Sequence, residues 1–120
     1  MTGHHPEDRE ILDPEDHKII TLARAARART NAAEGACVRD TDGRTYAATS
    51  VALPSLQLSA VQVAVAMAVS SGVDGLEAVA VNGAESLIEL DRAVIAELGG
   101  RDVVVWLTDV AGSVVERIQL

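Results

Sequence analysis

Four carboxylates in the last third of the chain, Glu85, Glu89, Asp91 and Asp109, could be drawn as an oxygen ligand set for a hard divalent cation. The same residues also have a plainer use. Glu85 and Glu89 flank the start of a helix, where the dipole favours acids, and Glu89 can pair with Arg92 three positions on. Ser59 could serve as a nucleophile only with a base in reach, and none of the histidines, His4, His5 and His17, is expected to reach it. His4 and His5 stand side by side in a polar run, whereas a stable metal site needs three or four ligands held in place. Cys37 is the single cysteine, so no internal disulfide can form, and its apolar-flanked run GACVRD predicts a buried, inert thiol. Gly99-Gly100 follows a helix instead of opening one, so no glycine-rich phosphate loop is present. Arg24, Arg27 and Arg29 could form a patch for RNA or an acidic partner, but their spacing predicts a solvated helical face.

Composition limits what such residues could serve. One domain is expected from 120 residues. Acids outnumber bases 18 to 10, and the net charge of −8 argues against nonspecific binding of nucleic acid or anionic membrane by the surface as a whole. No basic stretch precedes an apolar one at the N-terminus, and no run approaches the ~20 uninterrupted apolar residues of a membrane span, so a cytoplasmic protein is expected. The aromatics are Tyr46 and Trp106 alone, which leaves Val, Ala, Leu and Ile to build the core. Small side chains bury little area each, so packing against a second subunit would help.

The elements that must position these residues have clear punctuation. Residues 1–12 are expected to form a flexible acidic arm, and residues 13–120 a single domain. In DPED, Asp13 is the predicted N-cap and Pro14 the first helical position of a helix reaching about Thr30, with Ile19, Ile20, Ala23 and Ala26 inward. Asp42-Gly43 predicts the turn of a β-hairpin from about Gly35 to Ala52. Pro54 and Ser55 break the strand, with Ser55 the candidate N-cap of a second helix, apolar all round and therefore buried, that ends at Ser70-Ser71-Gly72. LEAVAVNG alternates as a strand, and SLIELDRAVIAELGG predicts a helix with a Ser86/Glu89 capping box and a Gly99-Gly100 stop. DVVVWLTD and VVERIQL are strands whose connection is too short for a crossover, so they should pair antiparallel.

This order, α-β-β-α-β-α-β-β, resembles the cytidine deaminase fold. LARAARARTNAA is similar to that family's first helix, DGRTYAATSV to its first hairpin turn and second strand, and AVAMAVSSG to the end of its first zinc helix. From about Leu22 onward the resemblance implies a three-layer α/β domain, with a five-stranded mixed sheet, helices on both faces and the last two strands antiparallel. It also implies a site. The family holds zinc with three cysteines, or a histidine and two cysteines, while a glutamate moves protons between the zinc-bound water and the pyrimidine. The Cys-Ala-Glu that opens its buried helix falls on Ser59, Ala60 and Val61. Its second motif, Pro-Cys, two spacers, then Cys-Arg, falls on Leu87, Ile88, Glu89, Leu90, Asp91 and Arg92, and its sugar-binding Asn and Glu fall on Ser50 and Ala52.

On those residues the expected protein is a catalytically inactive homologue, with no cofactor and with a structural or interaction role. Ser59, Val61, Ile88 and Asp91 are then vestiges of the catalytic site, and Ser50 and Ala52 of the substrate site. The resemblance implies a homodimer or homotetramer, and an unknown protein partner stays open. The alternative is a divergent zinc-dependent nucleoside deaminase with unrecognised ligands, or a nucleoside-binding sensor.

Overall fold

Asp13 opens the first helix as its residue type predicts, its Oδ1 accepting the Asp16 N–H at 2.8 Å. The computed structural model describes residues 12–120; the rest of the expected arm, with His4 and His5, lies outside the described residues. Helix α1 spans Pro14–Thr30 and ends at Asn31 in the left-handed conformation, φ 53°. Ile19, Ile20, Ala23 and Ala26 are its buried stripe. Arg24 and Arg29 are exposed, but Arg27 departs from the outward reading: it is half-buried and its Nε donates to Asn82 Oδ1 at 2.8 Å. A buried amide at the sheet's end recruits the guanidinium inward.

Strands β1 (Gly35–Asp40) and β2 (Thr45–Thr49) form the expected hairpin, with Gly43 at φ +87° in its turn. Asp40, buried at that turn, accepts the N–H groups of Asp42 and Arg44 at 2.9 Å, the Tyr46 hydroxyl at 3.1 Å and Arg44 Nε at 3.2 Å. Burial alone would raise its pKa, but these donors and the Arg44 charge outweigh it and hold the carboxyl below its ordinary value.

The chain after Thr49 departs from expectation. Instead of entering a helix at Ser55 it makes a second hairpin, β3 (Val51–Leu53) with β4 (Leu56–Leu58), turning on Pro54-Ser55. Helix α2 (Ala60–Ser70) is therefore shorter than expected and its N-cap is Ser59. Nor is it buried all round, since Met67 and Val69 are 40% and 56% exposed while Ala60, Val61, Ala64, Val65 and Ala68 face the core.

Strand β5 (Leu76–Asn82) follows, then helix α3 (Glu89–Gly99), β6 (Val104–Thr108) and β7 (Val114–Gln119). The Ser86/Glu89 capping box does not form. Helix α3 starts at Glu89 with Ile88 in the cap position and no side-chain cap bond. The sheet order is β2-β1-β5-β6-β7, with β5 and β6 parallel and every other neighbouring pair antiparallel, β6-β7 included.

Strand alternation divides the core into two layers. Cys37, Ala78, Ala80 and Trp106 meet α1 on one face; Ala36, Val38, Val79, Val81, Val105 and Leu107 meet α2 and α3 on the other. Arg39 ties three elements, bonding Asp16 of α1 at 3.1 Å and Glu77 of β5 at 2.9 Å. Among the described residues no helix is long and apolar enough to cross a membrane.

Gly35 allows α1 to lie against β1. A Cβ there would run into the Ala23 carbonyl oxygen and sit 2.9 Å from Arg27 Cβ. Both contacts are with groups fixed by the helix, so neither neighbour can yield cheaply. Gly35→Ala is expected to lower the unfolding free energy by about 1–3 kcal/mol in a urea titration.

Candidate functional site

The loop from β4 into α2 is organised by Ser59. Its extended backbone, φ −72° and ψ 161°, ends the strand, and its Oγ accepts the Gln62 N–H at 3.0 Å. The Gln62 side chain returns the bond, Oε1 accepting the Ser59 N–H at 2.9 Å, so a capping box closes. The hydroxyl proton of Ser59 then points across to the next helix, where it is donated to Asp91 Oδ1 at 2.7 Å. Asp91 is 5% exposed in the first turn of α3, so this hydrogen bond lies away from solvent.

A second carboxyl joins this pair from the loop between α1 and β1. Glu34, half-buried, lies beside the start of α2 and near enough to Asp91 to feel its charge. Its backbone is fastened to Ser50: the Glu34 N–H donates to Ser50 Oγ at 3.3 Å and the Ser50 N–H donates to the Glu34 carbonyl at 3.1 Å. Burial pushes the Glu34 pKa up, the Asp91 charge adds to this, and the Ala60 N–H pulls the other way, leaving it above its ordinary 4.5. Asp91 is likewise raised above 3.8 by burial, against the Ser59 hydrogen bond.

Of the positions singled out in the sequence, Ser59, Asp91 and Ser50 gather around Glu34 at the start of α2. Val61 is fully buried in the core cluster with Ala36, Val38 and Ala64, beneath α2 and α3. Ile88 is 54% exposed at the α3 cap, and Ala52 is exposed on the β3-β4 hairpin. The proposed oxygen ligand set does not assemble. Glu85, Glu89 and Asp109 are exposed while Asp91 is turned inward on Ser59, and among the described residues no group of three or more His, Cys, Asp or Glu side chains could hold a metal ion. Cys37 is fully buried against α1, and burial raises its thiol to about 11, so little reactive thiolate forms at neutral pH.

Two participants escaped the sequence reading. Gln62 carried a legible signal, since Ser59-x-x-Gln62 is itself a capping-box spacing. Glu34 carried none. It lies 25 positions before Ser59 and arrives only because the β1-β2 hairpin brings the loop beside the start of α2.

The cytidine deaminase-like family model matches residues 12–112. Among solved structures, the chain superposes on a cytidine deaminase from Burkholderia pseudomallei with a TM-score of 0.74 at 28% identity, covering 86% of this chain and 91% of that one. The cytidine deaminase from Mycobacterium tuberculosis gives 0.66 at 26% identity over 78% and 85% of the two chains. For that from Mycobacterium leprae the values are 0.68 and 22% over 79% and 89%, a likeness of fold. No curated protein matches. With a five-stranded mixed sheet whose last two strands are antiparallel, helices on both faces and a family match over most of its length, the chain belongs to the cytidine deaminase-like family.

The raised carboxyl at position 91 has a signed consequence. Folding favours its neutral form, so the ionised form weakens the fold; that penalty is absent below the unfolded value of 3.8, grows above it, and is complete above the raised folded value. Asp91→Asn keeps an oxygen to accept from Ser59 and removes the charge. Its Tm relative to the parent is therefore expected to be highest near neutral pH and to fall as the pH drops toward the ordinary carboxylate range. A pH series of melting curves on the two proteins checks this.

Proposed function

We propose that this family member is catalytically inactive and serves as a structural or interaction protein. The observation that carries the reading is Val61. The resemblance sets the family's proton-shuttling glutamate at this position, and here the position holds a fully buried hydrocarbon packed into the core. Valine has no proton to give or take, and a carboxylate at this depth would lie among apolar neighbours.

The donor set for the implied zinc does not fit either. The hydroxyl of Ser59 is already engaged with Gln62 and Asp91, Ile88 offers only hydrocarbon, and Asp91 is a lone carboxylate where thiolates are required. No step of the family's chemistry can be derived through these residues.

An interaction role draws support from the surface. Leu53 and Leu56 on the β3-β4 hairpin are 55% and 47% exposed, and Ile88 and Leu90 at the start of α3 are 54% and 60% exposed. Large apolar groups presented in this way favour association. We propose a homodimer or homotetramer.

Elemental mass spectrometry on protein freed of any purification tag and of the His4-His5 arm is expected to find no zinc, and incubation with cytidine no uridine. About one zinc per chain together with uridine formation would overturn the reading of inactivity and favour a divergent zinc-dependent deaminase. Size-exclusion chromatography with light scattering is expected to give a dimer or tetramer at micromolar concentration; a monomer would overturn the proposed assembly.

A further inference from the structure

We infer that the Ser59–Asp91 hydrogen bond is a metal-free lock, standing where the family's zinc would join the first turns of α2 and α3, so that the domain needs no metal to hold these helices together. The inference rests on the reading of inactivity and extends it to what replaced the ion.

Three observations carry it. The two partners are the two motif positions that face each other across the helices, 32 residues apart in the chain, and they meet at 2.7 Å. Neither is free to do otherwise. The Gln62 N–H occupies the acceptor side of the Ser59 hydroxyl, which leaves its proton to be donated, and Asp91 is 95% withdrawn from solvent with that proton as its side-chain hydrogen bond.

The bond is also the one side-chain hydrogen bond joining α2 to α3 among the described residues. A zinc ion held by both helix starts would link them through its coordination bonds. Here the Ser59–Asp91 hydrogen bond makes the link.

The test is a double-mutant cycle in chelator-treated full-length protein, with melting temperatures for the parent, Ser59→Ala, Asp91→Ala and the double variant. A lock makes the two changes non-additive: the second substitution should shift the Tm less favourably in the parent than in the already altered background, by roughly 4–8 °C. Additivity within about 2 °C would overturn the lock. Should the double variant fail to fold, amide exchange on Asp91→Ala replaces it. Faster exchange in the first turn of α2 with its last turn unchanged supports the lock, and no change in that first turn overturns it.

Zinc chloride added to the chelator-treated parent is expected to leave the Tm where it was; a zinc-dependent rise would overturn independence from metal. Turnover of cytidine would overturn the inactivity itself. Additivity in the cycle without turnover would overturn the lock alone and leave the inactivity standing.

Discussion

The closeness with which α1 lies on the sheet at β1 is the constraint from which the rest of the architecture follows. A core with no Phe cannot fill wide gaps between layers, so its layers must approach until Ala and Val side chains touch. Ala23 and Ala26 of α1 and Ala78 and Ala80 of the sheet are all 1% exposed or less, and Gly35 removes the last Cβ that would hold helix and strand apart. Interiors packed at crystal-like density tolerate little adjustment, so this approach fixes where the loop before β1 must run. Glu34 sits in that loop, and its position beside Ala60 is thus inherited from packing on the opposite face of the sheet.

Polar groups mark the places where helices meet the sheet. On the α1 side, Arg27 reaches Asn82, whose amide donates to Thr108 Oγ1 at 3.1 Å and to the Asp109 carbonyl at 2.8 Å, closing the ends of β5 and β6. On the other side, Ser59, Asp91 and Glu34 close the starts of α2 and α3. Each network satisfies groups that would otherwise be buried without partners, and each draws its members from distant parts of the chain. In the second, burial raises both carboxyls above their ordinary values.

The legibility of the fold followed the locality of its signals. Asp13-Pro14, Asp42-Gly43 and the alternation of LEAVAVNG each encode structure within a few residues, and each element formed as read. Where two local signals competed, the sequence reading chose the wrong one. Pro54-Ser55 was compatible with a helix start, yet it became the turn of an extra hairpin, and Ser59, four residues on, took the cap with Gln62. Ser86 and Glu89 had capping-box spacing, but α3 began later, at Glu89 with Ile88 in the cap position and no side-chain cap bond.

By itself the sequence determined the class of domain, the order of its main elements and the residue types that stand at the family's motif positions, because periodicity, capping and turn chemistry act over short spans. Tertiary structure alone decided what those residues do. That Ser59 donates to Asp91, that Val61 is turned wholly into the core, that Arg27 turns in to Asn82 and that Glu34 joins a site with no sequence mark all depend on contacts between segments far apart in the chain. Such contacts are selected by packing of the whole chain, and no local pattern encodes them.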